Sequence, residues 1–236
     1  MSDTHGGVRL KTELILALDL PDEVAALRLL DRLPEVEWVK VGSVLFVKEG
    51  PDLVARLVER GLSVFLDLKW HDIPNTVGGA VTSARELGVR MATVHTLGGV
   101  EMMSAATESA GRDMDIIGVT VLTSHTPASF GQATGRSEVD LTSDAIRLGR
   151  NALHAGLAGV VCSPREAQPL RQELGTAPLI VVPGIRRGQD PGDDQSRTAT
   201  PREAARAGAT HLVIGRPVLN AKDPAQVWAE MTIDIQ

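Results

Sequence analysis

The chain has 236 residues, 43% hydrophobic and 23% charged, which is ordinary for a globular fold and close to the roughly 250 residues of an eight-stranded α/β barrel. A net charge of −6 argues against a general binder of nucleic acid or anionic membrane, and three Phe, three Trp and no Tyr argue against a stacking platform for single strands. Cys162 is the only cysteine, so no internal disulfide can form, and six scattered histidines show no metal-ligand spacing.

The N-terminal MSDTHGGVRLKTE lacks the apolar core of a signal peptide, and residues 1–12 are expected to be a tail ahead of one domain over 13–236. The first strand-like run, Leu14–Leu18, stops at Asp19. The second, Trp38–Val44, carries Lys40. It leads into a helix on which Leu53, Val54, Leu57 and Val58 share a face, with Pro51 in the first turn and Gly61 able to close it. The third run, Ser63–Leu68, enters D-L-K-W-H-D-I-P-N-T; the fourth is Met91–His95 and the fifth Ile116–Leu122. Beyond the fifth, Pro127–Val139 has no clear periodicity and reads as a loop. After the sixth run, Gly159–Cys162, a capping box at Ser163-Pro-Arg-Glu166 opens a helix that Pro169 should shorten. The seventh run, Leu179–Val182, precedes a polar, glycine-containing stretch over 184–199 that is too long for a routine barrel connection. A second capping box, Thr200-Pro-Arg-Glu203, precedes the eighth run, His211–Ile214.

These runs are nearly continuous in Val, Ile and Leu, as buried parallel strands are. Their regular alternation with helices predicts an α/β fold, and eight units favour a closed (β/α)8 TIM barrel over an open sheet. No stretch of about 18 apolar residues is present to span a membrane, so a cytoplasmic protein is expected.

Ionisable residues recur where the runs end: Asp19, Lys40, Asp67, Lys69, His95, Arg186 and Arg216. In a parallel barrel these ends face one mouth, where the active sites of such enzymes lie. Asp67 and Lys69 are two apart and would point to the same side of a strand. A purely structural ion-pair network is the bland alternative. Buried ion pairs often do no better than apolar groups of equal volume, so several at one end suggest function.

At residues 67–76, D-L-K-W-H-D-I-P-N-T, the sequence resembles the orotidine 5′-monophosphate decarboxylase family, closest to its short, stand-alone bacterial branch. Supporting segments follow in order: A-L-D at Asp19, L-T-S after the fifth strand, and P-G-I-R…D-D-Q…I-G-R-P. The resemblance implies a charged array of Lys40, Asp67, Lys69 and Asp72, with Asp72 reaching into the neighbouring site of a homodimer. It implies Lys69 as proton donor to C6 of the pyrimidine and Asp19 and Lys40 as ribose-hydroxyl ligands. Ile73 and Thr76 fall in the same substrate-contacting run, and Thr76 resembles a ligand donated by the partner chain. Thr123, or its neighbour Ser124, would read the pyrimidine edge. Pro183 would lie beside the base, Arg186 would begin a covering loop, and Gln195, Gly215 and Arg216 would hold the phosphate.

The residue types suit that chemistry. Loss of CO2 leaves an in-plane carbanion that no ring carbonyl delocalises, and the chain shows no pyridoxal or thiamine signature. A lysine supplies both positive charge and a proton, so no cofactor or metal is expected. His71 and Trp70 have no assigned role, and His95 either orients a charged neighbour or is structural. D-x-K-x-x-D alone would also fit a metal-dependent sugar-phosphate relative, and a barrel could serve as a non-catalytic phosphate sensor. D-I-P-N-T and the D-D-Q segment speak against the first, and alternating Asp and Lys at the mouth against the second.

Overall fold

A computed structural model describes residues 11–188 and 198–236. Its strands are β1 (Glu13–Ala17), β2 (Trp38–Gly42), β3 (Ser63–Trp70), β4 (Met91–His95), β5 (Asp115–Val119), β6 (Gly159–Val161), β7 (Leu179–Val182) and β8 (His211–Ile214). Each pairs in parallel with its sequence neighbours, and β8 pairs with β1, closing the barrel. The helices are α1 (Glu23–Asp31), α2 (Ser43–Glu59), α3 (Pro74–Glu86), α4 (Gly99–Ala110), α5 (Pro127–Thr134), α6 (Leu141–His154), α7 (Pro164–Leu174), α8 (Pro201–Arg206), α9 (Arg216–Leu219) and α10 (Pro224–Asp234). Among the described residues no helix is long and apolar enough to cross a membrane.

The two-residue period of the strands separates two cores. Ile15, Ala17, Phe65, Met91, Ile117, Val181 and Val213 fill the barrel interior. Their neighbours Leu14, Leu16, Val39, Val41, Val64, Leu66, Ala92 and Val94 face outward into the layer packed with the helices. Both faces are therefore apolar, which is why the runs read as continuous. At β6 the fit is close enough to demand glycine: a Cβ at Gly159 would lie 2.0 Å from the Leu179 carbonyl oxygen.

Three local expectations need correction. Strand β2 stops at Gly42, because Ser43 and Val44 already belong to α2. That helix contains Gly50 at φ 69, ψ −164, a kink from which Pro51 opens the second segment as its fixed φ suits. The loop expected over Pro127–Val139 contains α5, two turns built mostly from small residues that show no apolar stripe. Its ends were nevertheless marked: the Ser129 N–H donates to Thr126 Oγ1 at 3.2 Å, and Gly135 closes the helix at φ 68, ψ 28. Phe130 packs there on Val121, Leu141 and Leu148, while Arg136 and Arg147 pair with buried Asp144, whose carboxyl the Arg136 guanidinium holds below its ordinary pKa. Finally, α7 runs through Pro169 to Leu174. The proline, midway along the helix, removes a single backbone N–H, and buried Ala167 and Leu170 on either side anchor the helix to the core.

Candidate active site

Inward positions at the C-terminal ends of β1, β2 and β3 carry a row of alternating charge. Lys40 Nζ donates to Asp19 Oδ1 at 2.9 Å and lies 3.8 Å from Asp67 Oδ2. The same Asp67 oxygen accepts from Lys69 Nζ at 2.8 Å. Side-chain exposure is 11% for Lys40 and 14% for Asp67 but 39% for Lys69, so the inner pair is shielded from water while Lys69 keeps a face toward a ligand. Gly42 leaves room for the row, since a Cβ there would stand 3.1 Å from Lys40 Nζ.

An irregularity in β3 aims its charges. Leu66 pairs with Ala92 and Trp70 with Val94, so Asp67, Leu68 and Lys69 all face the single residue Thr93. Lys69 has φ 51 and is the one non-glycine residue at positive φ among the described residues. Simple strand alternation is thus an incomplete reason for the Asp67–Lys69 pairing. The bulge turns the Lys69 side chain onto its neighbour, as bulges beside active sites do.

The row borders a cavity of ≈ 240 Å³. The top of the barrel core forms its apolar floor through Ala17, Phe65, Val161, Val181 and Val213. Pro183, Gly184, Arg186, Gly215 and Arg216 line it from the ends of β7 and β8, across the barrel from β3. Thr123 also lines it, whereas its neighbour Ser124 does not. Arg186 is buried, with Nη1 donating to the Ile185 carbonyl at 2.8 Å. Gln195 lies outside the described residues. One cavity therefore combines a charged wall, an apolar floor and two arginines, a layout suited to a flat polar ring carrying an anionic group.

The sequence signature of the Orotidine 5′-phosphate decarboxylase / HUMPS family matches residues 12–231. The chain belongs to this family. Among its curated relatives, Orotidine 5′-phosphate decarboxylase of Alkalilimnicola ehrlichii is 48% identical over 224 residues, 93% of this chain and 94% of that protein. The protein of the same name from Nitrosococcus oceani is 46% identical, covering 95% of this chain and 98% of the relative. Among solved structures, Orotidine 5′-phosphate decarboxylase from Lactobacillus acidophilus superposes with a TM-score of 0.86 at 33% identity, covering 96% of this chain and all of that one, 100%.

Within this family member, three residues singled out by sequence do not enter the cavity. Asp72, Ile73 and Thr76 follow β3 on the outer rim and are exposed, Ile73 at 65%. Asp72 Oδ1 accepts from the Ile73 N–H at 2.6 Å, and Pro74 opens α3 directly behind them. His95 makes its hydrogen bond to the Leu97 N–H, at 3.4 Å, rather than to an aspartate or lysine. It stacks on His71, with ring centroids 5.5 Å apart and planes at 22°. Burial, reinforced by the charges of His71, Lys69 and His125, pushes the His95 pKa down to about 4, so it is neutral near pH 7. Among the described residues no three His, Cys, Asp or Glu side chains converge on a metal position. Sequence reasoning passed over Thr93, whose only signal was a hydroxyl at an inward position of an otherwise apolar strand.

Proposed function

We propose that the enzyme converts orotidine 5′-monophosphate to uridine 5′-monophosphate and CO2 in the cytoplasmic synthesis of pyrimidine nucleotides. The observation carrying this reading is the alternating row Asp19–Lys40–Asp67–Lys69 beside a cavity that Arg186 and Arg216 also line. The bond from C6 to the carboxylate breaks and its electron pair stays on C6 in the ring plane. The Lys69 ammonium stabilises that pair and then donates a proton to it, recovering its own proton from solvent. Fixed charges of this kind supply much of the roughly 8–23 kcal/mol that enzymes take from a barrier. Asp67 holds Lys69 in place and would also repel the substrate carboxylate. At about 3 Å and an effective dielectric near 20, that repulsion is roughly 5 kcal/mol before screening. Stabilisation of the carbanion by Lys69 ranks first, because it grows as the charge forms.

Asp19 and Lys40 would take the ribose hydroxyls, Thr123 the pyrimidine edge and Pro183 the face of the base. Gln195, Arg216 and the Gly215 amide would hold the phosphate, with Arg186 beginning the segment that covers it. No cofactor or metal takes part. A homodimer completes the site, with Asp72, Ile73 and Thr76 of one chain entering the other's mouth. Supporting this are the apolar residues Val44, Val47, Ile73 and Leu97, exposed on the segments that directly follow three adjacent strands, β2, β3 and β4. A second cavity of ≈ 450 Å³ is lined by Ser43, Val44 and the same charged row. An ultraviolet assay for loss of orotidine 5′-monophosphate, run with and without prolonged chelation, tests the reading. Activity is expected in both. Loss on chelation that Mg2+ reverses would favour a metal-dependent sugar-phosphate relative instead.

A further inference from the structure

Thr93 is fully buried on β4, opposite the bulge, and both halves of its hydroxyl are engaged. Its Oγ1 accepts from the main-chain N–H of Lys69 at 2.9 Å and donates to Asp67 Oδ1 at 3.0 Å. A hydroxyl has one proton; with the Lys69 N–H pointing at its lone pair, that proton is directed to the carboxylate. Asp67 then has Oδ1 held by Thr93 and Oδ2 by Lys69 Nζ at 2.8 Å, so its carboxylate cannot rotate without breaking one of these bonds. Lys69 is likewise held at both ends, by its ammonium and by its main chain.

We propose that Thr93 is a positioning residue for decarboxylation, its hydroxyl locking the main chain of Lys69 and the carboxylate of Asp67 into one arrangement. A left-handed lysine persists only where its surroundings over-determine it. The bulge interrupts the regular β3–β4 ladder at this point, and the Thr93 side chain accepts the N–H that the Lys69 turn presents. Being fully buried, the hydroxyl has no access to water that could replace it.

The inference rests on Lys69 acting in the reaction, and Lys69→Ala serves as the control for that reading. Thr93→Val keeps the shape and removes the hydroxyl. It should lower kcat by about 100-fold, the scale of a misplacement near 1 Å. KM and the Kd for uridine 5′-monophosphate should stay close to those of the unaltered enzyme. Thr93→Ser, which restores the hydroxyl, should return kcat to within about tenfold. If the Val chain does not fold, Thr93→Ala against Thr93→Ser repeats the comparison, because both lose the methyl and only Ser keeps the hydroxyl. Val and Ser chains of equal kcat, or Ala and Ser chains of equal kcat, would overturn the proposal while an inactive Lys69→Ala left the Lys69 reading standing. An active Lys69→Ala would instead remove that reading itself.

Discussion

Lys69→Ala and Lys69→Gly chains should both fail to decarboxylate, yet the glycine chain should be the more stable. At φ 51 the Cβ of an L-residue crowds the following carbonyl, a cost of about 1–2 kcal/mol that glycine escapes. Glycine in turn loses more freedom on folding, by about 0.5–1 kcal/mol relative to alanine. At mid-range values the balance favours glycine by about 0.7 kcal/mol. Both chains lose the same ammonium and leave Asp67 with the same partners, Thr93 at 3.0 Å and Lys40 at 3.8 Å, so the lost charge cancels in the comparison. In a chain of this size the difference corresponds to about 1–4 °C in Tm. Calorimetric melting of the two variants at one protomer concentration, beside the ultraviolet assay, measures both effects. An alanine chain that melts higher would show that residue 69 is not left-handed in solution. Turnover of either chain within tenfold of the unaltered enzyme, about 1.4 kcal/mol of barrier, would take Lys69 out of the mechanism.

Mixing equal amounts of Lys69→Ala and Asp72→Ala chains should restore about a quarter of full activity, because about half the dimers are mixed and each mixed dimer has one intact site. Mixed dimers that form and stay inactive would place Asp72 in its own chain's site. Arg216→Ala should reduce kcat/KM strongly for the nucleotide and far less for the nucleoside lacking phosphate, since charge-assisted contacts are the stronger ones; equal losses on the two substrates would place Arg216 elsewhere. His95 binds its proton at about 4 in the fold against an ordinary 6.5, so across that window the unfolded chain holds more protons. Stability should therefore fall as pH drops from about 6.5 to about 4, with His71, His125 and Lys69 facing the same ring, and His95→Asn should reduce the dependence. Denaturant midpoints at pH 7 and pH 5 that shift equally in both chains would contradict this.

Much of the architecture was legible along the chain because its causes are local. Strands buried on both faces need unbroken apolar runs, and the runs stop where Asp19, Lys40, Asp67, Arg186 and Arg216 meet a polar mouth. The capping boxes at Ser163 and Thr200 were also readable, since each lies within four residues; Thr200 and Glu203 bond reciprocally at 2.8 and 3.2 Å. The helix α5 was missed because two turns of small residues carry no stripe, although the hydroxyl–proline start and the closing glycine were present. Three features could be decided only by tertiary structure. Closure of the barrel brings β7 and β8 across from β3, so Arg216 and Lys69 share a cavity despite their separation in sequence. The bulge depends on register between β3 and β4, and nothing near Lys69 in sequence signals its positive φ. Thr93 matters through partners on another strand. Propensity and periodicity act over a few residues, whereas register, strain and a shared hydroxyl exist only once distant segments pack against one another.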